Sequence, residues 1–339
     1  MQSKRRWRRV ALWSVAGLFC VPIAWYAIGR ALASSEALRV VTLDSDPDER
    51  STKFRERDPD LLRVGTYNIA HGRGNGAENW NGESAATRGD RLDRIAEFLT
   101  ALDLDVVVLN EVDFDATWSH RVNQAAFLAE KCGYKYRIEQ RNFDVSLPFY
   151  RWACGNAVLS RYPIQDARWI DLPGDAAWES ALGGKKDACV CTLEAHNGTL
   201  VRVVPVHLSS RSEEIRTASV EVLKGEADQG GPPLLLVGDF NSSPQGFPLT
   251  DPDKPSAVGM LTQDPRWHTL PEKVTSDADC TFSSTEPKQV IDWIFVPRPW
   301  HLVSRQVYPI DLSDHRPVVG VVRMTNGEPG SAGRAPFDQ

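Results

Sequence analysis

From Leu61 to Met324, short apolar runs alternate with stretches of helical periodicity, and no segment repeats another. The runs Leu62 to Ile69, Val106 to Leu109, Ala157 to Ser160, Ala188 to Leu193, Leu200 to Val206, Leu234 to Val237, Val290 to Val296 and Val318 to Val322 have the length and composition of strands. Leu92, Ile95, Leu99 and Leu102 recur at helical spacing with charges between them, which predicts an amphipathic helix from Arg88 to Leu102. Ser212 is a suitable N-cap, and Glu213 and Glu214 suit a first turn, so a second helix is expected from Ser212 to Leu223. Stretches 141–153, 168–187 and 242–275 carry Trp, Pro and Gly without a clear period. They are expected to be long loops, where functional residues concentrate. Residues 61–324 are thus expected to form one α/β domain.

The flanks differ. Residues 34–60 are rich in Asp, Glu, Arg and Pro and predict a solvated linker, and residues 325–339 predict a disordered tail. At the N-terminus, Lys4, Arg5, Arg6, Arg8 and Arg9 precede an uncharged apolar run from Val10 to Gly29, long enough to cross a bilayer as a helix. A lipoprotein signal is set aside because Phe19, not a small residue, precedes Cys20. Cleavage near Ala33 stays open, since Ala31-Leu32-Ala33 has the small-x-small pattern, as does a weak twin-arginine reading of Arg5-Arg6. The run exceeds the usual signal core, so residues 1–33 are expected to anchor the chain in a membrane through residues 10–29, with Pro22 as a tolerated kink. The basic cluster before the run, against Arg30 alone after it, predicts a single-pass protein with a cytoplasmic N-terminus and an exported body. Cleavage would make it a secreted protein instead.

Removing residues 1–33, which hold six basic and no acidic residues, shifts the net charge from −6 to −12. An acidic body counts mildly against sequence-independent nucleic-acid binding, although a bound metal ion can supply positive charge locally. Five of the six cysteines lie beyond the apolar run, an odd number that cannot all pair within one chain. Cys189 and Cys191, two apart in a strand-like run, should point to one face as small core side chains, and no zinc-ligand spacing is present.

Polar residues follow the apolar runs again and again. Asn68 ends the first, Glu111 follows the second, His207 follows Val203 to Val206, Asp239 and Asn241 follow Leu234 to Val237, and Asp314 and His315 precede Val318. Strands lying side by side would bring these groups to one rim. Taken singly, each has a plain explanation: Gly238, Asp239 and Asn241 are turn formers, and a lone His207 or His315 is more often structural than catalytic. Asp292 is harder to explain away. It lies within an apolar run, where an unpaired carboxylate is costly, and His315 is the natural partner.

As a set, these stretches resemble the endonuclease/exonuclease/phosphatase family over essentially the whole domain. The resemblance is carried by Gly65-Thr66-Tyr67-Asn68-Ile69, Leu109-Asn110-Glu111-Val112, Gly155-Asn156-Ala157-Val158-Leu159-Ser160-Arg161, Val206-His207-Leu208, Gly238-Asp239-Phe240-Asn241, Ile291-Asp292-Trp293-Ile294-Phe295 and Ser313-Asp314-His315-Arg316-Pro317. One position departs from the pattern: Asn110 stands where relatives usually carry Gln, which puts the support around the site in question. The resemblance implies a DNase I-like two-sheet β-sandwich flanked by helices, with the active site at one end of the sheets. It implies Glu111 and Asp314 as ligands of Mg²⁺, or Mn²⁺ in its place, with Asn68 beside them, a donor set that suits hard divalent ions. His207 and Asn241 would contact the phosphate, and His315 would be held by Asp292. Asp239 would orient or deprotonate the attacking water, the identity of the base staying open between Asp239 and His315. No activated Ser or Cys accompanies the motifs, so hydrolysis by a single in-line displacement is expected.

The substrate is less constrained. A membrane segment, an acidic body and loops carrying Phe149, Tyr150, Trp152, Trp169 and Trp178 favour a lipid or other membrane-proximal phosphodiester. The rivals are an exported nuclease acting on DNA or RNA and a tethered, non-catalytic binding protein. No protein partner is expected.

Overall fold

The structure is a computed structural model. It describes residues 13, 17, 20–33, 36–43, 58–174, 184–245, 247, 253–273 and 276–324. Its strands are β1 (Leu38–Thr42), β2 (Leu61–Asn68), β3 (Val106–Asp113), β4 (Tyr136–Leu147), β5 (Tyr150–Ser160), β6 (Ile164–Ile170), β7 (Ala188–Glu194), β8 (Leu200–His207), β9 (Leu234–Asp239), β10 (Trp267–His268), β11 (Asp292–Pro297), β12 (His301–Val307) and β13 (Val318–Arg323). The helices between them are α1 (Ala85–Leu102), α2 (Gln124–Cys132), α3 (Glu213–Asp228) and α4 (Ala257–Thr262).

The strands form two sheets, ordered β1-β4-β5-β3-β2-β13-β12 and β10-β11-β9-β8-β7-β6. Their runs are apolar on both sides because both sides are covered. Val64, Val106, Val108 and Val158 of the first sheet meet Cys189, Cys191, Val203, Leu235 and Val237 of the second in the central layer. The outer face of the first sheet packs Val107, Leu109 and Leu159 against Leu92, Ile95 and Leu99 of α1 and Leu128 of α2. That of the second packs Val204, Val206, Leu236 and Phe295 against Val220 and Leu223 of α3 and Val258 of α4. The result is the expected two-sheet sandwich with helices outside.

Each sheet contains one parallel pair, β2 with β3 and β8 with β9, joined by α1 and α3 respectively. This matters for function, because a parallel pair brings two carboxyl ends side by side. Asn68 is in register with Asn110, and His207 with Asp239. The helices are fixed locally as well. Ser84 accepts from the Thr87 amide at 3.1 Å to start α1, and Ser212 accepts from the Ile215 amide at 3.3 Å to start α3. α3 runs to Asp228, beyond the expected end at Leu223.

Several expectations need correcting. The linker expected over 34–60 contains β1, which pairs with β4, so the domain begins before Leu61. Stretch 141–153, expected as a loop, is the β4–β5 hairpin, and stretch 168–187 begins with the last residues of β6. Stretch 242–275 carries α4 and β10. Asp292 opens β11 rather than lying in mid-strand. Within the apolar run, residues 13, 17 and 20–29 are helical, and its other residues lie outside the described set, as do Trp178 and the tail 325–339. No described helix is long and apolar enough to cross a membrane.

Candidate active site

The polar residues at the strand ends converge on one end of the sandwich, between the sheets. Glu111 gets there through a break in β3: pairing with β5 shifts register between Leu109 and Val112, and Glu111 takes φ 51°. Such a bulge re-aims a side chain, here toward the second sheet. Asp239 depends on the glycine before it. Gly238 has φ 146°, and a Cβ there would collide with the Val206 carbonyl of β8.

The ionisable groups form a row. Asp113 Oδ1 lies 2.8 Å from His71 Nδ1, and His71 Nε2 lies 3.5 Å from Glu111 Oε2. His207 Nε2 stands between Glu111 Oε1 at 3.9 Å and Asp239 Oδ2 at 3.7 Å. His315 Nε2 is 3.7 Å from the same Asp239 oxygen, and its Nδ1 is 2.9 Å from Asp292 Oδ2. Asp239 is also braced by amides. Its Oδ1 accepts from the Asn241 backbone at 2.8 Å, and its Oδ2 accepts from Asn68 Nδ2 at 3.1 Å and Asn241 Nδ2 at 3.3 Å. The Asn241 side chain also donates to the Leu208 carbonyl at 3.0 Å, so reaching a phosphate would require it to release one of these bonds.

Asn110 answers the question raised by its shorter side chain. Its Nδ2 donates to Asn156 Oδ1 at 2.9 Å and to the Val206 carbonyl at 3.0 Å, while its Oδ1 accepts from the Asp239 amide at 3.1 Å. One buried amide therefore ties the first sheet to two strands of the second, directly beneath the site. On the other side, Ser313 Oγ donates to the Asn68 carbonyl at 2.7 Å and lies 3.3 Å from Asp314 Oδ1, fixing the turn that carries Asp314 and His315.

Two cationic side chains enter the site that the motifs did not announce. Arg73 spans the two acidic groups, 3.2 Å from Glu111 Oε2 and 2.7 Å from Asp314 Oδ2, and its Nε donates to the Gly76 carbonyl at 2.7 Å. Lys186 Nζ lies 2.8 Å from His207 Nε2. A cavity of about 110 Å³ opens here, lined by His71, Glu111, His207, Lys186 and the β4–β5 residues Phe143, Trp152 and Cys154. A larger cavity of about 310 Å³, beside Leu261, Trp267 and Lys273, contains none of these groups.

The electrostatics divide the row in two. Burial pushes Glu111 up, but charge on His71, Lys186 and Arg73 outweighs it and holds its carboxyl well below the usual range. Burial and Lys186 push His207 well below an ordinary histidine, so it is neutral near pH 7. Burial, with the charge of Asp292, pushes Asp239 up to about 7, against the opposing pull of His315. Burial lowers His315, yet Asp292 and Asp239 overcome it and push the ring up to about 10.

A carboxylate pair already drawing a guanidinium between its oxygens is a site of the right charge and hardness for Mg²⁺ or Mn²⁺, so Glu111 and Asp314 fit the expected ion. Among the described residues, two groups of three bring ligand atoms within 4.8 Å of one another, His71 with Asp113 and Cys154, and Asp239 with Asp292 and His315, and neither includes Glu111 or Asp314. In the first, burial raises the Cys154 thiol far above its ordinary value, which keeps it protonated. In the second, His315 is hydrogen-bonded to Asp292 and faces Asp239 at 3.7 Å.

The model of the endonuclease/exonuclease/phosphatase family matches residues 65–315. The chain belongs to this family. Among solved structures, an endonuclease/exonuclease/phosphatase from Beutenbergia cavernae superposes with a TM-score of 0.61 at 21% identity, over 78% of this chain and 72% of that one. A mannosyl-6-phosphatase from Bacteroides thetaiotaomicron superposes at 0.54 with 17% identity, over 77% and 99%. TDP2 from D. rerio in complex with single-strand DNA product gives 0.53 at 13%, over 77% and 98%. At these identities the likeness establishes the fold. No curated protein matches the chain.

All eight residues singled out from the sequence, Asn68, Glu111, His207, Asp239, Asn241, Asp292, Asp314 and His315, lie at this one end. Asn68 Nδ2 donates to Asp239 at 3.1 Å and its Oδ1 accepts from the Ala70 amide at 3.0 Å, so the side chain is committed to bracing Asp239. The sequence reading missed His71, Arg73, Asp113 and Lys186. Asp113 carried a signal: it ends the apolar strand β3 fully buried and, like Asp292, demanded a partner. His71 and Arg73 sit among Gly72, Gly74 and Gly76 with no periodicity to mark them.

Proposed function

We propose that this family member is a divalent-metal-dependent phosphodiesterase, tethered to a membrane by its N-terminal segment and acting on a lipid or other membrane-proximal phosphodiester. The observation that carries the hydrolase reading is the meeting, at one sheet end, of an acidic pair bridged by a cation with an Asp239 that burial pushes up to about 7 and that faces the His315–Asp292 pair. Glu111 and Asp314 would hold Mg²⁺ or Mn²⁺. When bound, the ion polarises a phosphoryl oxygen and stabilises the leaving oxygen.

The side chains divide the remaining work. Ionised Asp239 orients the attacking water and takes its proton as the new P–O bond forms opposite the breaking one. Protonated His315 donates from Nε2 to a phosphoryl oxygen, while Asp292 accepts from Nδ1 and keeps the ring charged and oriented. Lys186, held by a hydrogen bond to His207 Nε2, supplies hydrogen bonds where negative charge develops on the non-bridging oxygens. Asn241 contributes mainly by steadying Asp239.

The substrate reading draws support from where the N-terminal segment arrives. Arg30, directly after the apolar run, donates to the Asp144 carbonyl at 2.8 Å, its guanidinium lies 5.4 Å from the Phe143 ring, and Gly29 packs against Val145 and Leu147. These belong to the hairpin that walls the cavity with Phe143 and Trp152, and its tip exposes 87% of Phe149. Trp152 packs inward on Phe143 and Trp118, whereas Trp169 lies away on β6. A bilayer met by residues 10–29 would therefore be close to the mouth. The mannosyl-6-phosphatase and the DNA-bound TDP2 have the same fold on different esters, so the loops must select the substrate.

The test uses the full chain in lipid vesicles with Mg²⁺ or chelator, offered a phosphodiester lipid, plasmid DNA, RNA and an inositol phosphate. Metal-dependent cleavage of the lipid is expected. Cleavage of nucleic acid alone would replace the lipid reading by the exported nuclease. No cleavage of any phosphodiester by metal-loaded protein would favour the non-catalytic binding protein. Protease protection of the N-terminus in intact cells, with digestion of the body from outside, is the expected topology.

A further inference from the structure

We infer that His71 is a nitrogen ligand of the catalytic ion beside Glu111, giving a mixed imidazole–carboxylate centre that prefers a first-row transition ion to Mg²⁺. The inference rests on the assignment of Glu111 as a metal ligand. Asp113 fixes the tautomer. It is fully buried, its Oδ2 accepts from Trp118 Nε1 at 2.7 Å, and its Oδ1 faces His71 Nδ1 at 2.8 Å. A carboxylate with an indole donor on one oxygen accepts from the ring through the other, so Nδ1 carries the proton.

That aims Nε2 into the site, 3.5 Å from Glu111 Oε2. Carboxylates face both ring nitrogens and favour the protonated ring, and Arg73 reaches the same Glu111 oxygen at 3.2 Å, so an ion binding here would displace the Nε2 proton. Ligand atoms about 2.1 Å from a common ion and about 110° apart are separated by roughly 3.4 Å, so the observed spacing leaves room for a shared cation. A metal-bound histidine characteristically donates its other N–H to a carboxylate, the arrangement of Asp113 and His71.

The surrounding structure holds the ring in place. Ala70 and His71 take φ 47° and 53°, a conformation that side chains disfavour. Gln124, the first residue of α2, keeps it there by donating to the His71 carbonyl at 2.8 Å while accepting from the Asp113 amide at 2.9 Å. Trp118 meets the ring edge to face at 6.0 Å. Imidazole suits transition ions far better than Mg²⁺, so the added nitrogen donor shifts the preference of an otherwise all-oxygen site.

The decisive experiment is pulsed electron paramagnetic resonance of the full chain loaded with Mn²⁺, which detects ¹⁴N of a coordinated imidazole, with calorimetric Mn²⁺ and Mg²⁺ affinities alongside. Wild type should show nitrogen coupling that His71→Gln loses and His207→Gln retains. His71→Gln should weaken Mn²⁺ binding at least about tenfold while changing Mg²⁺ binding less, and the retained Mg²⁺ binding reports a folded site. Asp113→Asn, which frees the ring, should weaken Mn²⁺ binding as well. Coupling that survives in His71→Gln, or bound Mn²⁺ without coupling in wild type, would overturn the inference and leave His71 as a hydrogen-bond donor to Glu111. Failure of wild type to bind any divalent ion would remove the metal assignment itself.

Discussion

Two histidine–carboxylate pairs flank one pocket, and they are built for opposite ends. His315 with Asp292 faces Asp239; the two carboxylates push the ring up to about 10 against burial, while burial, with Asp292, pushes the Asp239 carboxyl up to about 7. His71 with Asp113 faces Glu111, where Arg73 and Lys186 help to hold the carboxylate well below its ordinary range. One half keeps a proton exchangeable near neutral pH, and the other keeps negative charge permanently available to a cation. The difference arises from partners rather than from residue types. Asp239 is pushed up by burial and by Asp292, while Glu111, burdened by burial too, has four basic side chains around it.

The largest break in this comparison should come from Glu111→Ala. Hydrolysis should fall by about a thousandfold or more, and calorimetry should no longer detect tight Mg²⁺ or Mn²⁺ binding. Activity close to wild type would mean that the charge-holding half lies elsewhere. His315→Gln comes next, with kcat lowered about 10²- to 10⁴-fold and metal affinity nearly unchanged. An equal loss of affinity would show that the two halves are not separable.

A third variant probes the joint between the halves. Asn110→Ala removes the amide that reaches Asn156, Val206 and Asp239, leaving the Asp239 amide and the Val206 carbonyl without that partner. Urea unfolding should show a loss of about 1–3 kcal/mol. The accompanying fall in kcat should exceed any change in metal affinity, because Asp239 belongs to the proton-handling half. Unchanged stability would mean that water replaces the amide without loss.

How much of this was legible in the sequence follows the same division. The row from Glu111 through His207 and Asp239 to His315 could be read because each residue ends or precedes an apolar run, and parallel pairing makes such ends meet. The other half is written in long-range pairings. His71 and Arg73 follow β2 in a glycine-rich turn, and their partners Asp113 and Asp314 lie 42 and 241 residues away. The β4–β5 hairpin escaped notice for a related reason. Arg137, Glu139, Arg141 and Asp144 pair with one another along β4, at 3.0 Å, 3.2 Å and 3.1 Å in turn, so charged residues are buried among Ile138, Phe143 and Val145 and no clean hydrophobic period marks the strand. β1 is five residues in a charged stretch and becomes a strand only by pairing with β4.

The smallest expected effect gives the finest test of the contrast, through pH. If Asp239 must be ionised and His315 protonated, kcat/KM should rise through about 7 and fall through about 10. Asp292 raises both groups, so Asp292→Asn should move both limbs of the profile toward acid, each by roughly one unit. The proton linkage to stability has the same sign for both. Each folded-state value lies above the ordinary one, so the contribution is complete below 3.8 for Asp239 and below 6.5 for His315, and is lost as pH rises through about 7 and about 10. The wild-type melting temperature should therefore drift down between pH 7 and 10, and that of Asp292→Asn should drift less. Limbs that stay in place in the variant would assign the titrations to groups outside this pair, and the proton-handling half would have to be redrawn around His207 or Lys186.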